Sequence, residues 1–213
     1  MTLARNKIYE MMRHDILKCI IMPGAEIREA DLAQRFGVSK SPVRDALQKL
    51  ELEGLVDIEP RRGHRVRAIS VRDAEDILEL RQVLEAACVK KVALVASEEE
   101  LAGLDRYRTA DKSSAEAFAA YNRDFHHHLG VLSGNRRMAE EMVRAMDYYA
   151  RLCLVSLSVI ADRGFDGPLK DHVEIIDALQ ARNGNAAARV VRRHVGKSRD
   201  QILKVLERRP IVS

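Results

Sequence analysis

Histidines are concentrated in the later part of this 213-residue chain, where five of the seven lie after residue 120. His172 and His194 each fall on the apolar stripe of a separate predicted helix, so both rings are expected to face inward. Burying an imidazole without a partner costs free energy. Coordination of a metal ion by ring nitrogens would offset that cost, so the two residues are candidate metal ligands.

A third predicted helix offers two ways to complete such a site. Asn122 and His126 flank its apolar stripe on one side, and Asp124 and His128 flank it on the other, each pair one turn apart. Periodicity does not choose between the pairs. A hydrogen-bonded role is the alternative for any single histidine, but three inward histidines on separate helices favour a divalent ion of the zinc, nickel or manganese class.

A second group of residues with chemical potential lies in the first third of the chain. The segment SKSPVRDALQKLELEGLV predicts a helix over residues 41–52 that carries Pro42 in its first turn. Lys40 and Arg44 lie about one turn apart at its leading end, where they can reach guanine edges or phosphates. Ser41 and the free N–H groups of the first turn suit a phosphate. The pattern predicts a helix that reads DNA.

A basic turn follows this helix. The segment PRRGHRV places Arg61, Arg62 and His64 around Gly63, between predicted strands over residues 55–59 and 64–69. A basic tip beside a glycine can enter a minor groove closely. With predicted helices over 6–21 and 29–36, these elements form a winged helix-turn-helix.

The rest of the chain shows only helical periodicity, and Ser70 is expected to cap its first helix. The predicted helices are joined by short connections and cover residues 72–96, 98–111, 114–133, 135–160, 167–182 and 185–207. The predicted fold is therefore mainly α, with a DNA-binding domain over 1–70. An all-α antiparallel bundle is expected over residues 71–213.

Composition and charge are compatible with this organisation. The net charge is +4, and residues 1–70 hold 13 lysines and arginines against 10 acidic residues, a small excess that suits nucleic acid. Three separated cysteines form no metal motif or disulfide framework, and no signal peptide or span long enough for a bilayer is visible. We expect a cytoplasmic protein without a membrane partner.

Two functions from other classes are alternatives to DNA binding. A metal-dependent hydrolase with a three-histidine site would need a general base, for which Asp124 or Asp171 could serve. No HExxH-type signature supports it, and the first domain would be unexplained. A protein-interaction module that merely docks through a basic N-terminus would associate without salt dependence and would not retain DNA.

The first domain closely resembles the GntR family of regulators. The matching segments are PGAEIREADLAQRFGVSKSPVRDALQKLELEGLV and PRRGHRV. Carried over by position, the family's DNA contacts fall on Lys40, Ser41, Pro42, Arg44 and Gly63. Lys40 stands where arginine is usual, which removes bidentate geometry, and Ala30 stands where some members place a further contacting arginine.

The second domain is similar to the FCD ligand-sensing domain of the FadR-type GntR subfamily. The matching segments are LELRQVLEAA, NRDFHHHLGVLSGN, DHVEIIDAL and ARVVRRHV. Many such domains bind a divalent metal through an aspartate and three histidines. That pattern maps onto Asn122, His126, His172 and His194, with an amide in place of the carboxylate and hence a weaker ligand.

The resemblance also implies how the protein would work. It implies a homodimeric regulator, most simply a repressor and not an enzyme, that binds a double-stranded operator and a small carboxylate effector. Arg81, which matches the arginine of the family's R-x-x-L-E segment, and Arg151 are candidate partners for the effector anion. The alternative for Arg81 is a surface ion pair with Glu85 one helical turn away.

Overall fold

In the computed structural model, residues 2–59, 63–160 and 164–208 are described. The chain divides between Ser70 and Val71 into two compact units. The mainly α prediction is confirmed. None of the helices in these ranges combines the length and apolar character required to cross a membrane.

The first unit contains three helices and a small antiparallel sheet. The helices are α1 (Thr2–Leu17), α2 (Glu29–Phe36) and α3 (Lys40–Leu52), and the strands are β1 (Glu26–Ile27), β2 (Val56–Glu59) and β3 (Gly63–Val66). The strand order is β1-β3-β2. The sequence therefore predicts only two of the three strands. The two residues of β1 are too few to show an alternation of apolar and polar side chains. The first helix also ends at Leu17, earlier than predicted.

Helix α3 is held by one apolar stripe. Its buried residues are Val43, Ala46, Leu47 and Leu50. The stripe packs against α1, whose Met12 and Ile16 are fully buried. Gly37, at a φ of +63°, ends α2 and lets the chain turn into α3. Because α3 packs by this stripe, its opposite face is left to solvent.

Within its described residues, the second unit consists of helices joined by turns and loops, without strands. Its helices are α4 (Val71–Val95), α5 (Glu98–Ala102), α6 (Ala115–Leu132), α7 (Arg136–Ile160), α8 (Asp166–Gln180) and α9 (Gly184–Arg208). Helix α4 packs along α9, α6 packs along α7, and α8 packs on α9. The predicted helix over 98–111 is wrong in extent. It ends at Ala102 and continues only as a 3-10 turn over Gly103–Tyr107, where glycine lowers helix propensity.

Candidate metal centre and nucleic-acid interface

Three histidines from α6, α8 and α9 meet in the interior of the second unit. His126 and His172 are 0% exposed and His194 is 3% exposed. One ring nitrogen from each lies within 4.8 Å of the others. Periodicity alone leaves open whether His126 or His128 of α6 faces this site. The structure places His126 there, because His128 is only half-buried and packs on Tyr107. The structure thus brings together three of the four residues expected to bind a metal, and Asn122 lies one turn before His126.

A buried carboxylate on α4 holds the first imidazole. The Oε2 atom of Glu85 lies 2.9 Å from Nδ1 of His126, and Oε1 accepts a 2.7 Å hydrogen bond from Nε of Arg81. Burial alone would raise the pKa of Glu85, but the charge of Arg81, with a further contribution from the adjacent His126 ring, outweighs it and lowers that pKa to about 2. An ionised carboxylate only accepts hydrogen bonds. Burial lowers the pKa of His126 to about 4, so its ring is neutral, and the adjacent carboxylate favours the proton on Nδ1 and a lone pair on Nε2.

The same arrangement recurs at α9. Nδ1 of His194 lies 3.4 Å from Oδ2 of Asp171, whose carboxylate also accepts hydrogen bonds from Lys197 at 2.9 Å and Arg193 at 3.2 Å. Burial opposes ionisation of Asp171, yet these donors bring its pKa well below the usual range. Asp171 is thus an ionised acceptor for a proton on Nδ1 of His194.

The third imidazole is oriented by a tyrosine. The hydroxyl of Tyr121 donates its only proton to the carbonyl of Tyr107 at 2.7 Å. The same hydroxyl lies 3.1 Å from Nδ1 of His172, so it must accept there. Nδ1 of His172 is therefore the donor and its Nε2 carries a lone pair. Burial holds the pKa of His172 well below the ordinary value, so the ring is neutral.

These donors fit a metal ion of the borderline class. Within the described part of the chain, the buried Nε2 atoms of His126 and His172 make no hydrogen bond, and Nδ1 of His126 meets Glu85 as a close contact to the carboxylate and not as a hydrogen bond. Neutral imidazoles whose second nitrogen donates to a carboxylate or a similar acceptor are the usual arrangement around bound zinc. Asn122, 7% exposed, lines a cavity together with His194 and could add an amide oxygen.

The leading end of α3, where the sequence predicts DNA contacts, is exposed on the first unit. Lys40, Ser41 and Arg44 are exposed, and Pro42 is half-buried in the first turn. Arg44 donates from Nε and Nη2 to the carboxylate of Glu29 at 3.1 and 2.9 Å. This two-point pair raises the pKa of Arg44 and lowers that of Glu29. These two hydrogen bonds fix the orientation of the planar guanidinium group at the surface.

The predicted wing tip is described only in part. Gly63 begins β3 at a φ of +104°, and a Cβ there would lie 3.1 Å from the carbonyl oxygen of Ile27. His64 pairs with Ile27 and is 7% exposed, so it lies inside the sheet and not at an exposed tip. The register explains this, because alternate residues of β3 face inward. Arg61 and Arg62 lie outside the described residues.

Comparison with known proteins assigns the chain to a family. Residues 4–66 match the bacterial regulatory proteins of the gntR family, and residues 76–197 match the FCD domain. The chain is a member of the GntR family with an FCD domain. The resemblance seen in the sequence is thereby confirmed. The family makes this chain a DNA-binding transcriptional regulator and not a metal-dependent hydrolase.

Relatives of this GntR-family chain span nearly its whole length. The HTH-type transcriptional repressor RspR of Escherichia coli is 27% identical over 95% of this chain and 90% of its own. The Nta operon transcriptional regulator of Aminobacter aminovorans is 28% identical over 86% and 87% of the two chains. A GntR transcriptional regulator from Rhodococcus sp. RHA1 superposes with a TM-score of 0.78 at 26% identity over 94% and 97%. E. coli McbR/YncC superposes at 0.80 with 17% identity over the same shares, which supports the fold alone.

The two arginines expected to hold an effector are buried in the second unit of this GntR-family regulator. Arg81 and Arg151 are 0% and 1% exposed, and neither is among the described residues that line the cavity beside His194. Arg81 instead pairs with Glu85 and stacks on the ring of Tyr149, with its guanidinium carbon 3.9 Å from the ring centroid. The ion pair expected at the surface is therefore a buried one. Arg123 does line the cavity, where it donates to Asp147 at 2.7 Å.

Three residues that orient the histidines are not recognisable as such from the sequence. The sequence suggests Glu85 only as a partner for Arg81 and Asp171 only as a general base for a hydrolase. Tyr121 belongs to the apolar stripe of α6 and suggests no polar role. Their position next to ring nitrogens depends on the packing of separate helices. The one local signal is the acid at position 171, which directly precedes His172.

Proposed function

We propose that this GntR-family regulator is a homodimeric repressor whose operator binding is modulated by a small carboxylate effector in the helical unit. The effector would bind at or near a divalent ion of the zinc, nickel or manganese class. His126, His172 and His194 would hold the ion, with Asn122 as a fourth, neutral ligand. The observation that carries the proposal is the convergence of three buried imidazoles whose Nδ1 atoms each lie beside a polar atom of a different side chain.

The arrangement suits an ion that keeps open positions. Three protein nitrogens leave coordination sites free, and a bound ion would supply a positive charge to which a carboxylate can bind. Glu85, Asp171 and Tyr121 would fix the ring orientations, which is the role that outer partners play around metal-bound imidazoles. Arg81 would keep Glu85 ionised in the interior.

For DNA recognition, we assign residues 1–70 to a winged helix-turn-helix and residues 71–213 to the sensing domain. Helix α3 would enter the major groove, with Lys40, Ser41, Pro42 and Arg44 at its leading end and Gly63 near the wing. Arg61 and Arg62 remain proposed contacts of the wing. The exposed ion pair with Glu29 contributes little stability, so Arg44 can exchange it for a guanine edge or a phosphate.

Dimerisation would present two such helices to a palindromic operator. One face of α4 bears apolar side chains that solvent reaches: Leu80 is 47% exposed, Val83 66% and Leu94 82%. They recur at helical spacing on the side of α4 opposite its core. A second copy of the chain is the partner that would cover this face. A protein that binds a chromosomal operator would act in the cytoplasm.

The DNA contacts are tested with one arginine and a matched control. Operator fragments would be selected from a random DNA pool with the unaltered protein, and their affinities measured by electrophoretic mobility shift. We expect Arg44→Ala to weaken binding by about tenfold or more, the range of one lost bidentate contact. Arg137→Ala, which removes an exposed arginine of α7, should bind as the unaltered protein does. Undiminished binding by Arg44→Ala would refute the assignment of α3.

A further inference from the structure

The described residues that line the cavity beside His194 are mostly apolar. The rings of Phe118 and Phe165 stack with centroids 4.5 Å apart, and Met146, Pro168 and Ile202 add to this apolar lining. The polar lining residues include His194, Ser198 and Gln201 of α9 and Asn122 of α6. Among the described residues of the cavity, a ligand would therefore meet mainly carbon.

Several of the polar groups are already engaged by the protein. The hydroxyl of Ser198 donates to the carbonyl of His194 and accepts from Tyr149, both at 3.3 Å. Arg123 is paired with Asp147. A hydroxyl or second carboxylate placed against the apolar lining residues would lose its water without gaining a hydrogen bond from them, which is unfavourable.

The cavity offers space for a small ligand body. Its volume is about 110 Å³, of the same order as the roughly 150 Å³ of an engineered apolar cavity that accepts benzene. The cavity is also partly open to solvent, so a small ring or a short branched chain can enter it.

We infer that the effector is a monocarboxylic acid with an apolar body, either one small ring or a branched chain. Its carboxylate lies at the end lined by His194 and Asn122, and its body lies between the Phe118–Phe165 pair and Met146. Sugar acids and short dicarboxylic acids are disfavoured because the apolar side chains among the described lining residues offer their extra polar groups no hydrogen bonds. This inference rests on the proposed effector site and narrows it to one class of acid.

Neighbouring alanines of α6 provide a matched pair of variants. Ala119 lines the cavity and Ala120 is exposed on the same helix. Ala119→Met would fill part of the cavity, while Ala120→Met adds the same side chain outside it. Methionine favours helix, so both variants are expected to fold. Binding of benzoate, 3-methylbutanoate, gluconate and malonate to the full chain would be measured by calorimetry after one equivalent of zinc is added.

We expect saturable binding of benzoate and 3-methylbutanoate and markedly weaker binding of gluconate and malonate. Ala119→Met should weaken benzoate binding by about tenfold or more, as added methylenes do in a filled apolar pocket, and Ala120→Met should not. Gluconate or malonate binding at least as tightly as benzoate would overturn the inference. Equal benzoate affinity in the two variants, or no binding of any acid, would overturn it as well.

Elemental analysis of the same samples separates this inference from the metal site. Benzoate binding that depends on Ala119 in a protein without zinc would support the ligand class and refute the metal centre. Bound zinc without binding of any acid would refute the ligand class and leave the metal centre standing.

Discussion

At the scale of residues, the proposed metal site depends on side chains that do not touch the ion. The Tyr121 hydroxyl donates its only proton to the carbonyl of Tyr107, so it can only accept a hydrogen bond from His172. Tyr121 thereby selects the tautomer of His172 that carries its proton on Nδ1. Partners of this kind typically contribute 10–100-fold to metal affinity. The tyrosine hydroxyl thus has a predicted energetic role that does not require it to be a ligand.

Tyr121→Phe tests this role because it removes one oxygen and keeps the ring. We expect zinc affinity, measured by competition with a chromophoric chelator, to fall by about tenfold or more. Tyr9→Phe makes the same chemical change in the first unit and should leave zinc affinity unaltered. Equal zinc affinity of Tyr121→Phe and the unaltered protein would show that the hydroxyl does not position His172.

The sequence predicts the inward direction of His172 and His194, and both rings are buried. It does so because helical periodicity records which face of a helix meets the core. It does not predict Glu85, because an acid one turn after an arginine has the pattern of a solvated surface pair. Only the packing of α4 against its neighbours places that carboxylate beside Nδ1 of His126.

At the scale of elements, α6 is positioned by a close approach to α7. A Cβ at Gly130 would lie 3.2 Å from both Cα of Ala139 and Cβ of Met142, closer than normal packing permits. The glycine therefore sets how near the helix that carries His126 lies to α7. Gly196 in α9 is not crowded in this way, since among the described residues no atom lies within 4 Å of the point that a Cβ would occupy.

The two glycines give opposite predictions for the same substitution. Gly130→Ala should lower the free energy of unfolding by about 1–3 kcal/mol, because a helix shifts when an atom is forced into a packed contact. Gly196→Ala should raise the free energy of unfolding by about 0.4–1 kcal/mol. Alanine lowers the conformational entropy of the unfolded chain, and no close contact with a described residue opposes its methyl group in the folded state. Urea denaturation followed by circular dichroism measures both. A stabilised Gly130→Ala would contradict the close approach.

Element types and order are largely predictable from the sequence, whereas ends and short pieces are not. Helices α4, α6, α7, α8 and α9 carry long apolar stripes, and their predicted bounds differ from the observed ones by at most a few residues. β1 spans two residues and has no periodicity to detect. The helix after Ser97 has a capping box that marks its start, but nothing comparable marks its end at Ala102.

At the scale of the whole molecule, the proposed dimer requires the exposed apolar face of α4. Val83→Glu would place a carboxylate in the contact between two copies, where an unpaired charge costs about 3 kcal/mol or more. We expect the dissociation constant of the dimer to rise by about 100-fold. Light scattering after size exclusion would then give the mass of a monomer. Leu52→Glu, at an exposed apolar residue of the first unit, should remain dimeric.

A repressor that senses an acid must also couple its two units. Coupling free energies between sites in regulators are typically about 1–3 kcal/mol. We therefore expect an acid that binds the zinc-loaded protein to change operator affinity by about 5–150-fold in mobility shift assays. His172→Ala should abolish that response while retaining DNA binding. An undiminished response in this variant would place the effector elsewhere.

The central claim is that His126, His172 and His194 hold a metal ion together. Crystals of the protein grown with zinc and measured on both sides of the zinc absorption edge test it most directly. The account predicts one strong anomalous difference peak between the three ring nitrogens, absent in crystals of His172→Ala. No peak at that position, or a peak only at partly exposed histidines such as His127, would contradict it.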